Sequence, residues 1–106
     1  MAQTEAKQKL VRFLEEKAFR PVLRADPSAY PETKREKLRD VQRRTETEIE
    51  RFRNYGSAKE VVVNFRRDLN SDPAKKVHRE LSDLGLPTLN DVQGEFEKLA
   101  GDLGLE

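Results

Sequence analysis

Seven of the proline and glycine residues divide this chain into about five segments, and in each segment apolar residues recur three or four positions apart. Residues at that spacing share one face of an α-helix, so each segment predicts a helix with one buried stripe. A length of 106 residues fits a single domain. We therefore expect an all-α fold, a compact bundle of four to five helices with short loops, comprising residues 1–106 with a frayed tail at 101–106. The dividing residues are Pro21, Pro27, Pro31, Gly56, Pro73, Gly85 and Pro87.

The first segment, about Thr4 to Phe19, predicts a helix whose start Thr4 can cap. Pro21 disfavours helical geometry at the residue before it, so we expect the helix to end at Arg20. Residues 20–30 are then expected to form a loop that Val22 and Leu23 hold against the core. The apolar stripe of this helix consists of Ala6, Leu10, Phe13, Leu14 and Ala18.

The second segment, Pro31 to Asn54, predicts the longest helix, on the order of 35 Å at about 1.5 Å per residue. Proline is tolerated in a first helical turn, and Gly56 is expected to end the helix as a left-handed cap residue. The apolar stripe is narrow, so it fits packing within the chain or the seam of a homodimer. It consists of Leu38, Val41, Thr45, Ile49 and Phe52.

The third segment opens with Ser57 and Glu60 at the spacing of a capping box, in which each side chain binds the other residue's amide. The run Val61–Val63 that follows would also suit a buried strand, because β-branched residues favour sheets. The capping box and the lack of a partner strand favour a helix.

The last two segments carry the signals of two further helices. Ser71 followed by Pro73 marks a helix start, and Gly85 marks its end. Thr88 then begins the final helix, with Asp91 in the third helical position.

The sequence contains no arrangement of residues that predicts catalysis, a cofactor or a metal site. It has no cysteine, which excludes thiolate chemistry and zinc fingers and agrees with a reducing compartment. His78 is the only histidine, and we interpret it as a surface residue beside Val77. On a helix Glu48 faces away from Glu46 and Glu50, and we interpret the face that Glu46 and Glu50 share as solvated, because nothing apolar nearby would desolvate them. We therefore expect a protein that is not an enzyme and that binds no cofactor.

Charged residues make up 39% of the chain, yet the net charge is +1. This balance, together with periodic apolar residues, predicts a folded chain, because disorder usually combines low hydrophobicity with high net charge. No stretch approaches the roughly 18 apolar residues of a membrane span, and the N-terminus lacks the apolar core of a secretory signal. We therefore expect a cytoplasmic protein that does not bind membranes.

Basic residues of the second and fourth helices form the most informative surface pattern. Arginines of the second helix recur at multiples of four residues and could contact a phosphate backbone. Each of these arginines also has an acid three residues before it, which neutralises much of the ridge. The computed pI of 8.0 is below the value of about 9 typical of nucleic-acid-binding domains. The candidate contacts to a protein partner or a nucleic acid are Arg35, Arg39, Arg43, Arg44, Lys75, Lys76 and Arg79.

Charge is distributed unevenly along the chain. Residues 1–80 carry 20 basic and 14 acidic groups, whereas residues 81–106 carry 1 basic and 6 acidic groups. The final helix could compensate the earlier ones by packing across them, or the asymmetry could orient a partner. The leading functional hypothesis is a non-enzymatic protein–protein interaction or regulatory module. The alternative is a small nucleic-acid-binding regulator.

Overall fold

The computed structural model describes the backbone of residues 2–105 and the side chains of residues 5–105. Within these residues the chain forms helices and turns and no strand, which confirms the all-α prediction. A π-helical turn (Glu15–Phe19) joins the first two helices into one rod, so the described residues form five helical rods. The helices are α1 (Ala2–Leu14), α2 (Arg20–Leu23), α3 (Glu32–Asn54), α4 (Ala58–Leu69), α5 (Asp72–Asp83) and α6 (Leu89–Asp102), with a 3-10 turn at Pro27–Ala29.

The first rod does not end at Arg20, so that prediction was wrong. The helix continues through Pro21 to Leu23, and the amide of Arg20 donates to the carbonyl of Glu15, five residues earlier. A proline ring inside an α-helix crowds the carbonyl four residues before it. In the π-helical turn an amide bonds the carbonyl five residues earlier, so the turn is wider than an α-helical one and leaves room for the proline ring. The capping role expected of Thr4 rests on a side chain outside the described residues.

The π-helical turn also keeps the apolar stripe of the rod on one side. Four of the predicted stripe residues, Ala6, Leu10, Leu14 and Ala18, lie four positions apart. Each four-residue step along an α-helix rotates the side chain by about 40° around the helix axis. Over four such steps the stripe would turn away from the core. The extra residue of the π-helical turn offsets much of this rotation. Of the predicted stripe, Ala6, Leu10, Leu14 and Ala18 are buried, as is Val22 one step further along the rod, whereas Phe13 is only partly buried.

The buried residues form two clusters. The larger cluster joins the N-terminal rod, the second half of α3, α4 and α6 around Phe52, Phe65 and Phe96. The smaller cluster joins α2, the first half of α3 and α5. Helix α3 contributes to both, and its whole predicted stripe is buried inside the chain, so the stripe is not exposed as a dimer seam. The members of the smaller cluster are Val22, Leu38, Val41, Leu81 and Leu84.

The end of α3 differs from the prediction, because Gly56 is not a left-handed cap. Among the described residues, a positive φ occurs only at Gly85 and Gly104. The chain leaves α3 through Tyr55 in an extended conformation. The amide of Gly56 donates to Oε2 of Glu60 at 2.6 Å, so this glycine is bound to the start of the next helix.

The three predicted helix starts are present. Ser57 Oγ accepts from the amide of Glu60 at 3.3 Å, but Glu60 Oε2 binds the amide of Gly56 instead of that of Ser57, so the predicted capping box is only half formed. The run Val61–Val63 is helical. Ser71 Oγ caps α5, and Thr88 forms a complete capping box with Asp91 at the start of α6. These side chains satisfy amides that have no partner inside the helix.

Two glycines close the C-terminal ends of α5 and α6. Gly85 has a φ of 71°, and the amide of Leu86 donates to the carbonyl of Leu81 at 2.9 Å, which is a Schellman motif. Gly104 ends α6 in the same way, with the amide of Leu105 donating to Ala100 at 2.9 Å. The tail expected to fray from position 101 thus continues α6 to position 102. Glu106 lies outside the described residues.

Part of the charge asymmetry is compensated between helices. Arg66 of α4 binds Glu97 of α6, with Nη2 to Oε1 at 2.6 Å and Nε to Oε2 at 3.0 Å. This hydrogen bonding lowers the pKa of Glu97. Lys37 of α3 pairs with Asp83 at the end of α5 at 3.6 Å. No helix in the described part of the chain has the length and apolar character that crossing a membrane requires.

Candidate binding groove

A half-open groove of about 760 Å³ lies where the two core clusters meet, between α3 and α5. Its volume falls in the range of about 300–1,000 Å³ that is typical of binding pockets. The N-terminal rod forms its apolar floor, and the start of α6 closes one end. The main apolar residues of the groove are Phe19, Val22, Val77, Leu81 and Leu89.

The groove exists because the facing positions of α3 and α5 carry short or polar side chains. At the start of α5 these positions are Pro73 and Ala74, which are too small to reach across to α3. On α3 the opposite wall contains Thr45 and Glu48. Leu81, later in α5, packs fully into the smaller cluster, so α5 meets α3 closely only at its C-terminal half.

One end of the groove holds an ion-pair network in which Arg51 binds both Glu48 and Asp68. Burial raises the pKa of Glu48, although the guanidinium of Arg51 acts in the opposite direction. The prediction of a solvated face is confirmed for Glu46 and Glu50, which are exposed, whereas Glu48 faces away from them and is partly buried at the groove. Glu48 lies three residues after Thr45 and four before Phe52, and this spacing along the stripe was the available signal.

His78 lies between α5 and α6, and its prediction as a surface residue was wrong. Its exposure is 7%, and its Nδ1 lies 3.1 Å from Nδ2 of the Asn90 side chain. Burial lowers the pKa of the ring, although the carboxylates of Asp91 and Asp68 act to raise it. His78 precedes the buried Leu81 by three residues, so helical spacing placed it near the inward face of α5.

Two of the predicted contact residues line the groove on opposite walls: Arg44 on α3 and Lys76 on α5. Lys75 and Arg79 instead border an open depression between α5 and the start of α6. The structure therefore divides the basic residues of α5 between two sites.

The remaining predicted arginines of α3 lie on other faces. Arg39 and Arg43 share an exposed face, and Arg44 is turned from Arg43 by about 100°. Arg35 is half-buried, and its Nε donates to the carbonyls of Pro27 and Tyr30, each at 3.1 Å. The seven candidate residues therefore do not form one continuous basic surface.

The acid–base pairing expected along α3 is present in part. Arg43 pairs with Asp40 at 3.4 Å, and Arg51 pairs with Glu48. Arg53 binds Glu15 of the π-helical turn at 2.6 Å, which ties the end of α3 to the rod. Several of the arginines thus hold the fold together instead of forming a surface for a ligand.

The described residues contain no group of three or more histidine, aspartate or glutamate side chains that could hold a metal ion. Comparisons with protein-family models, with curated proteins and with solved structures find no match to this chain.

Proposed function

We propose that this protein is a non-enzymatic interaction module that receives an apolar segment of a partner protein in the groove. The observation that carries the proposal is the groove itself, in which the partly exposed Val77 and Leu89 lie between two charged walls. Among the described residues, Val63 is the one large hydrophobic side chain that is exposed, and it lies outside the groove. A single exposed valine is ordinary on a soluble surface, whereas a concave apolar site of this volume is typical of binding sites.

The geometry of the groove suits a helical or extended peptide segment. Two roughly facing helices form its walls, and a partner helix can place apolar side chains one turn apart on such a floor. An apolar centre surrounded by charged groups is also the usual composition of a protein–protein interface. Val77 and Leu89, which are only partly buried, would contact the apolar side chains, and the walls would contact the flanking polar groups.

The ionisable groups around the groove support binding rather than catalysis. Arg51, Glu48 and Asp68 bind one another, and His78 is bound to Asn90. A general base must reach the proton that it removes, so a histidine held in the interior against another side chain is poorly placed for that role.

Site-specific photo-crosslinking in the cells that make this protein tests the proposal. A photoreactive phenylalanine analogue would replace Ala74, which lines the groove, and in a matched control it would replace the exposed Gln93 of α6. We expect a discrete covalent adduct with another protein from the Ala74 position and none from Gln93. Equal adducts from both positions, or none from Ala74, would contradict the proposal.

A nucleic-acid-binding function makes a different prediction. Such binding weakens steeply as salt rises, because each phosphate contact releases counterions. The division of the candidate basic residues among several faces favours the protein-interaction proposal. Binding of labelled duplex DNA and of RNA between about 50 and about 300 mM salt separates the two functions. Tight, salt-sensitive binding would favour the nucleic-acid function.

A further inference from the structure

We infer that the segment received by the groove carries a carboxylate beside its apolar anchors. This inference rests on the proposed function and specifies the chemistry of the partner. It is drawn from the charges on the two walls and from their existing partners.

Arg44 and Lys76 provide positive charge on opposite walls of the groove. Lys76 has no ion-pair partner among the described side chains. Arg44 lies 3.7 Å from Asp40, but that carboxylate also pairs with Arg43 at 3.4 Å. Asp40 thus pairs with two arginines, and its single negative charge does not fully neutralise the positive charge of Arg44 and Lys76 on the walls.

The carboxylates that line the groove already form ion pairs within the protein. Glu48 and Asp68 both bind Arg51, and their side chains are 36% and 15% exposed. A cationic group entering the groove would have to compete with Arg51 for either carboxylate. An anionic group would meet Arg44 and Lys76 directly, so the groove discriminates by charge in favour of acidic segments.

The apolar residues of the groove distinguish an acidic peptide from a polyanion such as a phosphate backbone. A phosphate backbone would contact Arg44 and Lys76 but would leave the partly exposed Val77 and Leu89 uncovered. A peptide with leucine or phenylalanine next to aspartate or glutamate satisfies both parts of the groove. The partner of this chemistry is therefore an acidic amphipathic segment.

The test is selection of peptides from a phage-displayed library of random sequences of about twelve residues. The full chain is the bait in three forms: wild type, the reversal variant Arg44→Glu/Lys76→Glu, and the control variant Arg43→Glu/Lys75→Glu. Reversal and control change the net charge equally, on the same two helices, but only the first changes the groove. An Ala74→Trp variant, checked for helix content by circular dichroism, fills the groove and identifies which peptides bind there.

We expect wild type and control to enrich peptides that combine large apolar residues with aspartate or glutamate, and Ala74→Trp to lose them. The reversal variant should bind these peptides at least about tenfold more weakly, because it replaces attraction by repulsion. Groove-dependent peptides without an acidic bias, or insensitive to reversal, would overturn the inference and leave the proposed function in place. If no enriched peptide is lost with Ala74→Trp, the inference and the proposed function both fail.

Discussion

Nδ1 of the buried His78 lies 3.1 Å from the side-chain Nδ2 of Asn90, so a side-chain contact joins α5 to the first turn of α6. With Asn90 donating, the ring nitrogen must carry a lone pair, which requires the neutral form of histidine. Burial lowers the pKa of His78, against the influence of Asp91 and Asp68, so the folded state favours that form.

Stability is expected to fall as pH drops below about 6.5, the ordinary value for histidine. Below that value the unfolded chain binds a proton at His78 that the folded chain resists, so lowering the pH favours unfolding. The loss continues until the pH passes the lowered pKa of the folded ring. Urea unfolding at a series of pH values between about 5 and about 8 measures this effect.

The variant His78→Gln provides the control, since His78 is the only histidine in the chain. Glu48 contributes with the opposite sign, because its raised pKa makes the folded state bind the extra proton. The difference in pH dependence between wild type and His78→Gln gives the contribution of His78 to the free energy of unfolding. An equal pH dependence in both proteins would show that His78 does not contribute it.

Two glycine substitutions are expected to change stability in opposite directions. A Cβ at Gly94, in the exposed middle of α6, would meet no atom within 4 Å, and its φ is not positive. Gly94→Ala should stabilise the protein by about 1 kcal/mol through helix propensity. Gly85→Ala should destabilise it by about 1 kcal/mol, because Gly85 has a φ of 71°. Thermal unfolding of both variants provides the measurement, and shifts of the same sign would contradict the assignment of Gly85 as a left-handed cap.

Removing the cap of α6 should lower the free energy of unfolding more than removing a hydroxyl group from the middle of α3. Thr88 accepts from the amide of Asp91 and is buried. Thr88→Ala is expected to destabilise the protein by about 1 kcal/mol. Thr47→Ala serves as the control, because the exposed Thr47 binds only the carbonyl of Arg43 in its own helix. Chemical denaturation that gave similar losses for both would argue against a capping role for Thr88.

The stacked rings of Phe65 and Phe96 join α4 to α6, with centroids 3.9 Å apart and both side chains fully buried. Phe96→Ala should lower the free energy of unfolding by about 3–5 kcal/mol, through lost burial and the cavity left behind. Phe13→Ala should cost less, since Phe13 is only partly buried at the edge of the same cluster. Comparable losses would show that the larger cluster is not centred on this pair.

Helix starts could be predicted from sequence because capping chemistry is local. Ser57, Ser71 and Thr88 each bind the amide three residues further along the chain, so short motifs contain the whole interaction. The stripe of α3 was also predictable, because burial follows helical periodicity.

The differences from prediction arose where the outcome depends on packing between helices. The continuation through Pro21 requires a π-helical turn, which a simple proline rule does not include. Glu48 and His78 lie at the margins of apolar stripes, where neighbouring helices decide whether a side chain is covered. The groove itself depends on the relative position of α3 and α5, which no single segment of sequence encodes.

The division of the core into two clusters has a consequence for local opening. Helix α5 packs through Leu81 and Leu84 into the smaller cluster, while its first half borders the groove. Segments with few buried contacts open at lower free energy than the core, so amide hydrogens of α5 should exchange with solvent sooner than those of α4. A segment seated in the groove would contact both clusters at once, and it would slow that exchange by joining two parts of the protein that otherwise open separately.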